Sequence, residues 1–375
     1  MEPKLRVLVV DDSTLYRKVV VDVLAGLPGV EVVGTAPDGR LALQKIDLLR
    51  PDLLTLDLEM PEMGGLDVLR ALRQQSSDIG AIMLSAFTSR SADVTVTALS
   101  LGAFDFVLKP NGADTVVNAA RLRYELAGKI DAFARMRSIR RILNGSATTS
   151  AAPPASPRAG TDAPRAAAES PCRVAARTGR IRAVAIGIST GGPRALGEML
   201  PQLPADLGAP VLIVQHMPPL FTRSLAQDLD GRCALKVSEA ADRRAVVPGE
   251  ILIAPGGSQM KIESAGGQIS VRITDDPPEH SCRPSVDYLF RSVAEVYGDE
   301  SLAVIMTGMG NDGTQGCRLV KGKGGTVLAQ DAASCVVFGM PKEPIEQGIA
   351  DVVAPLDRIA AEIVRLTGKR SFACK

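Results

Sequence analysis

Tryptophan is missing from this sequence, and aromatic residues make up only 3% of it. Base-stacking platforms of the kind that hold single-stranded nucleic acid are therefore not expected. A charge excess is missing too: 43 Lys and Arg against 42 Asp and Glu leave a formal net charge of +1. No basic stripe is available to read a phosphate backbone, so nucleic acid is not expected as a partner. Histidine is nearly absent, with His216 and His280 as the two examples, which is too few for a zinc hydrolase built on imidazoles. The six cysteines, Cys172, Cys233, Cys282, Cys317, Cys335 and Cys374, form no C-x-x-C pair. Zinc-ribbon and thioredoxin-type readings are weak, and reduced thiols of a cytosolic protein are the simpler account. No apolar run approaches the ~20 residues that span a bilayer. Met1 to Arg6 reaches the first strand without a basic-then-apolar leader. These absences predict a cytoplasmic protein that does not insert into membranes.

What is present is globular. At 375 residues, 46% hydrophobic and 23% charged, the chain fits two domains of ordinary size. One sharp break in composition, residues 144–177, is rich in Ala, Pro, Ser and Thr and poor in large apolar side chains, and reads as a flexible linker. Before it, apolar runs at 6–10, 31–35, 52–58, 81–85 and 104–108 alternate with helical patterns at 14–27, 39–49, 65–75, 90–101 and 114–142. After it, strands at 181–188, 210–215, 250–254, 302–307 and 326–329 alternate with helices, and two apolar stretches flanking Gly266–Gly267 read as a hairpin. Alternation of this kind predicts parallel sheets covered on both faces. The expected divisions are 4–125, a helical extension and linker at 126–177, and 178–370.

Ligands of parallel α/β sheets gather at the carboxyl ends of strands. In the first half those ends carry Asp11 and Asp12, Asp57, Ser85 and Lys109. Converging carboxylates make a hard-oxygen site suited to Mg²⁺. Asp57 can attack a phosphoryl group whose oxygens Lys109 and Ser85 then bind. Taken singly, Asp-Asp-Ser is also an ordinary helix cap, and a strand-end Asp or Lys an ordinary surface charge. The pieces VVDDS, LDLEMPEMGGLD and FVLKP, with Ser85 ending its strand, resemble the response-regulator receiver family over about residues 4–125. The resemblance implies a flavodoxin-like fold, phosphorylation of Asp57 by a histidine kinase, and Mg²⁺ held by Asp12, Asp57 and the Glu59 carbonyl with Asp11 assisting. It also implies switching through Ser85, Phe106 and Lys109, and a cis peptide before Pro110.

In the second half, strand VAIGI runs into Gly-Ile-Ser189-Thr190-Gly191-Gly192-Pro193, a G-x-S-x-G pattern in strand–turn–helix context. The amides of Thr190, Gly191 and Gly192 would sit at a helix N-terminus, where they can stabilise an oxyanion. A glycine-rich anion cradle without catalysis is the competing reading. His216 ends the next strand, one βαβ unit on. His280 lies in a loop with no strand to position it. Asp312 follows strand LAVIMTG at the same edge, where a plain helix cap would also fit. A triad in which Ser189 attacks, His216 carries the proton and Asp312 fixes the tautomer is the economical reading.

GISTGGP, VQHMPP, CRPSVDYLF and TGMGNDG resemble the chemotaxis protein-glutamate methylesterase (CheB) family. With the receiver, the resemblance covers nearly the whole chain outside the linker, which looks longer and richer in Pro and Ala than a compact hinge. It implies two doubly wound α/β domains, the second a Rossmann-like serine hydrolase with an added β-hairpin. It further implies hydrolysis of glutamate γ-methyl esters and deamidation of glutamines on methyl-accepting chemoreceptors, with no cofactor for that reaction. The triad is then Ser189, His216 and Asp312, with Thr190, Gly191 and Met309 near the oxyanion. Phosphorylation is expected to relieve a receiver that covers the cleft. Three readings compete: the same chemistry on a non-chemotaxis receptor, a general esterase, and a receiver fused to a non-catalytic binding domain.

Overall fold

The computed structural model describes residues 4–75, 77–112, 114–146 and 181–368. The expected linker at 144–177 therefore falls outside the described residues beyond Ser146. The first half runs β1 (Leu5–Val10), α1 (Thr14–Ala25), β2 (Val30–Ala36), α2 (Gly39–Leu49), β3 (Leu53–Asp57), α3 (Gly65–Gln74), β4 (Gly80–Ser85), α4 (Ser89–Leu101), β5 (Asp105–Leu108) and α5 (Thr115–Ser146). Its strands pair in parallel in the order β2-β1-β3-β4-β5, which is the flavodoxin-like order. Strands such as β3 and β4 are buried along nearly their whole length because helices cover both faces. Short polar side chains start the helices: Ser13, Asp38 and Thr88 accept amides in the first turns of α1, α2 and α4.

The second half runs β6 (Ala183–Ile188), α6 (Gly192–Met199), β7 (Val211–Gln215), α7 (Phe221–Asp230), β8 (Lys236–Glu239), β9 (Glu250–Ile253), β10 (Gln259–Ala265), β11 (Gln268–Thr274) and α8 (Val286–Tyr297). It continues through β12 (Ser301–Ile305), α9 (Thr314–Gly322), β13 (Thr326–Gln330), α10 (Lys342–Glu346), β14 (Val352–Ala354) and α11 (Leu356–Leu366). Seven strands form one parallel sheet, β14-β13-β12-β6-β7-β9-β8, and β10–β11 form a separate antiparallel hairpin. The chain leaves β6 toward β7 on one side and returns to β12 on the other. That reversal of direction opens a crevice at the carboxyl ends of β12, β6 and β7, where open α/β sheets bind ligands.

Sequence patterning did not identify β8 or β14. Both are short edge strands with mixed burial, so neither carries the continuous apolar run of an inner strand. The helix after β12 begins at Thr314 with Gly313 as its N-cap, so Asp312 is not the plain helix cap of the competing reading. The peptide before Pro110 is trans, contrary to the expectation, and Arg283–Pro284 is the cis bond among the described residues. Lys109 reaches its partners through its own long side chain, so a cis bond is not needed for that contact.

The two halves pack against each other. α4 lies on α7, and one continuous apolar cluster joins Val96, Leu99 and Phe106 to Phe221 and Leu225. Polar contacts rim it: Ser224 Oγ donates to Asp93 at 2.5 Å and Arg232 donates to Ser100 at 3.4 Å. Among the described residues no helix is long and apolar enough to cross a membrane.

Candidate active site

Three loops leave three neighbouring strands at one edge of the large sheet. Ser189 follows β6, His216 follows β7, and Asp312 lies in the turn after β12. Two short bonds fix the serine turn: Ser189 N donates to Thr307 O at 3.0 Å and Gly192 N to Ser189 O at 2.8 Å. The second of these uses an amide expected to face an oxyanion. Thr190 and Gly191 remain as the turn's candidates for that role. Gly191 has φ 78°, a left-handed conformation suited to glycine. Gln215, 2% exposed, donates through one amide nitrogen to the carbonyls of Ser189 at 3.0 Å and His216 at 3.3 Å. Its side chain ties the backbone of the serine to that of the histidine.

His216 Nε2 lies 2.8 Å from Asp312 Oδ2. Asp312 is held at the N-terminus of α8. Its Oδ1 accepts from Ser285 Oγ at 2.9 Å and Asp287 N at 3.0 Å, and its Oδ2 accepts from Val286 N at 2.8 Å. Burial opposes ionisation of Asp312, but the bond and charge of His216 and these amides outweigh it and lower its pKa. An ionised acceptor assigns the Nε2 proton to the ring and leaves Nδ1 as the nitrogen that can take up a further proton. Nδ1 lies 3.8 Å from Cys282 Sγ. Burial lowers the His216 pKa, yet its bonds to Asp312 and Cys282 prevail and raise it to about 9. Both ring nitrogens are thus engaged, and neither is bonded to Ser189. His280 bonds Asp287 at 2.9 Å, behind Asp312, and takes no part in the serine's surroundings.

A cavity of about 160 Å³ lies over Ser189, Thr190, Gly191, Gln215 and His216, and its opposite wall is the first domain: Asp105, Phe106, Arg121, Glu125 and Lys129. Met309, expected near the oxyanion, does not line this cavity. It is half exposed, and its methyl faces Gly128 of α5. Sequence reading singled out Phe106 but missed Gln215, Cys282, Asp105, Arg121, Glu125 and Lys129, because pairings between loops and between domains leave no local pattern.

At the carboxyl ends of β1, β3 and β5, Lys109 Nζ bridges Asp11 Oδ2 at 2.7 Å and Asp57 Oδ2 at 2.8 Å. Ser13, not Asp11 or Asp12, caps α1, while Asp11 Oδ1 accepts the Ser13 amide at 2.9 Å. Oxygens of Asp11, Asp12 and Asp57 lie within 4.8 Å of one another. Burial and the charge of Asp11 raise the Asp57 pKa against the pull of Lys109. Ser85 Oγ accepts from Thr95 at 2.9 Å. The Glu59 side chain points to Arg90, 3.8 Å away. Phe106 stacks on Phe221 across the boundary, with ring centroids 4.8 Å apart.

A parallel-sheet domain with an acidic pocket at its strand ends, packed over a serine–histidine–aspartate edge, defines a receiver-coupled hydrolase. Residues 7–121 match the model of the response regulator receiver domain and residues 184–363 that of the CheB methylesterase. A protein-glutamate methylesterase/protein-glutamine glutaminase of Desulfotalea psychrophila is 49% identical over 96% of this chain and 98% of its own. One of Trichodesmium erythraeum is 41% identical over 98% of this chain and 100% of its own. The crystal structure of the Thermotoga maritima CheB methylesterase catalytic domain covers 51% of this chain and 100% of its own at 45% identity and TM-score 0.49. The chain belongs to the CheB family of protein-glutamate methylesterase/protein-glutamine glutaminases.

Proposed function

We propose that this chain hydrolyses glutamate γ-methyl esters on chemoreceptors, releases methanol, deamidates selected receptor glutamines, and is activated by phosphorylation of Asp57 from a chemotaxis histidine kinase. The observation that carries the proposal is the shared cavity: the serine and histidine of one domain form one wall and the receiver forms the other.

In the reaction, Ser189 Oγ attacks the γ-carbonyl carbon while His216 Nδ1 takes the hydroxyl proton. The C–O bond to methoxide breaks, and the same proton leaves with methanol. Water then attacks the acyl-serine, His216 again carries the proton, and the serine is restored as the side-chain carboxylate departs. With glutamine the leaving group is ammonia. The Thr190 and Gly191 turn faces the developing oxyanion, and the ionised Asp312 stabilises the imidazolium.

The closed arrangement is the resting form. The receiver wall denies substrate access, and His216, raised to about 9, holds a proton at neutral pH. Phosphorylation shifts the population toward an open form. An all-oxygen set, Asp11, Asp12 and Asp57, suits Mg²⁺, with the Glu59 carbonyl as a further ligand. The ion would neutralise phosphoryl charge, and Lys109 would bind another phosphoryl oxygen.

The test is methanol release from methylated chemoreceptor, with and without a small phosphodonor and Mg²⁺, for wild type, Ser189→Ala and Asp57→Ala. Release should vanish in Ser189→Ala, and donor stimulation alone should vanish in Asp57→Ala. Release that persists in Ser189→Ala would refute the nucleophile.

A further inference from the structure

In the closed form a receiver carboxylate lies against the residue that follows Ser189. Asp105, the first residue of β5, reaches across the domain boundary, and its Oδ2 accepts from Thr190 Oγ1 at 2.9 Å. The same oxygen is 2.9 Å from Lys129 Nζ, and Oδ1 accepts the Phe106 amide at 2.7 Å. Asp105 is 7% exposed, and a carboxylate so buried is tolerated because it is paired and hydrogen-bonded. The Thr190 carbonyl is held by Thr307 Oγ1 at 3.0 Å. Its hydroxyl is therefore the group that donates outward, one residue from the nucleophile.

Ester hydrolysis and deamidation both end in a side-chain carboxylate, and both start from a side-chain carbonyl. An acceptor oxygen beside Thr190 is common to substrate and product. Asp105 presents that same group from the receiver.

We propose that the position beside Ser189 is a carboxyl-binding subsite, with Thr190 Oγ1 as its recognition donor and Asp105 as its built-in occupant, a tethered analogue of the product carboxylate. This rests on the esterase and closed-form reading above and narrows it from obstruction by bulk to competition by like chemistry. A tethered group has an effective concentration in roughly the millimolar range, so a weakly binding carboxylate suffices to hold the subsite. Lys129 arrives with the receiver and neutralises the anion it delivers. A neutral ester substrate needs no such partner. Inhibition of this kind appears in KM more than in kcat.

The experiment uses the full-length chain without phosphodonor. Methanol release is followed from a peptide bearing a glutamate γ-methyl ester, and the glutamate form of the same peptide serves as product inhibitor. Asp105→Asn keeps the shape and the Phe106 amide contact but removes the charge. It should lower KM and the inhibition constant of the glutamate peptide by about tenfold, the loss of one charge-assisted hydrogen bond. Lys129→Gln, which strips the counter-ion and leaves the carboxylate, should act in the same direction and guards against a misfolded Asp105 variant. Phe106→Ala loosens the boundary without touching the carboxylate. If it raises the unstimulated rate while the Asp105 and Lys129 variants keep wild-type KM and inhibition constants, the subsite proposal is overturned and simple obstruction stands. If none of the three raises the unstimulated rate, the subsite and the closed resting form fall together.

Discussion

Phe106 lies nearly flat on Phe221, with an angle of 11° between the ring planes and 4.8 Å between their centroids. The first ring belongs to β5 and pairs in register with Met83 of β4, two residues before Ser85. The second opens α7, the helix that follows the His216 loop. A change at the Asp57 end of the receiver sheet thus has a short physical route to the wall of the cavity over Ser189.

Phe106→Ala should raise methanol release in the absence of phosphodonor. An aromatic pair contributes about 0.5–1.5 kcal/mol beyond its burial, so the closed form should weaken by roughly a factor of 2 to 10. The same rise is expected in an Asp57→Ala background. Dependence on Asp57 would show that the ring does not act downstream of it.

The resting enzyme should speed up with pH. His216 works as a base only when Nδ1 is unprotonated, so kcat/KM without phosphodonor should climb with a midpoint of about 9. Cys282→Ala removes one of the partners that raise this pKa, and the midpoint should fall. Stability should move the other way. Because the folded pKa lies above the unfolded one, the imidazolium stabilises the fold fully below about 6.5. That contribution is lost as pH rises through about 9. Urea midpoints across this range, compared with His216→Gln, report it; parallel curves would count against the raised pKa.

Asp312→Asn should be costly for both fold and rate. Each carboxylate oxygen accepts a backbone amide, from Val286 or Asp287, so either orientation of the new amide sets an N–H group against an N–H group. A buried donor left unpaired costs about 1–3 kcal/mol, and loss of the orienting carboxylate in a triad costs about 10⁴ in kcat. Urea unfolding and single-turnover methanol release separate the two effects.

Gly192→Ala tests the tie between serine and histidine. A methyl group there would collide with Gln215 Oε1, whose amide nitrogen bonds the Ser189 and His216 carbonyls. The expected outcome is a fall in kcat of about 10²-fold, as for displacement of a reacting group by about 1 Å. KM should change less. Near-normal kcat would mean the amide tie is dispensable.

Much of this architecture was legible because strand ends speak locally. Ser189, His216 and Asp312 each follow an apolar run and precede a helical or turn segment, and the structure puts Ser189 and His216 on one cavity and Asp312 on His216. The receiver acids were legible for the same reason. Edge strands such as Lys236–Glu239 were not, since one open side removes the apolar signal. Nor were the contacts of Cys282 with His216 or Asp105 with Thr190, which join residues distant in the chain. The position of Met309 against Gly128 depends on how the domains meet, which no single motif encodes.

Gln215 clamps the Ser189 and His216 loops by their main chains, so in the proposed opening those backbones would not need to be assembled as the receiver moves. Activation as proposed then resembles unshuttering a finished instrument. A small acylating probe aimed at Ser189 should react at a rate set by how often the receiver stands aside, and at the same intrinsic speed each time it does.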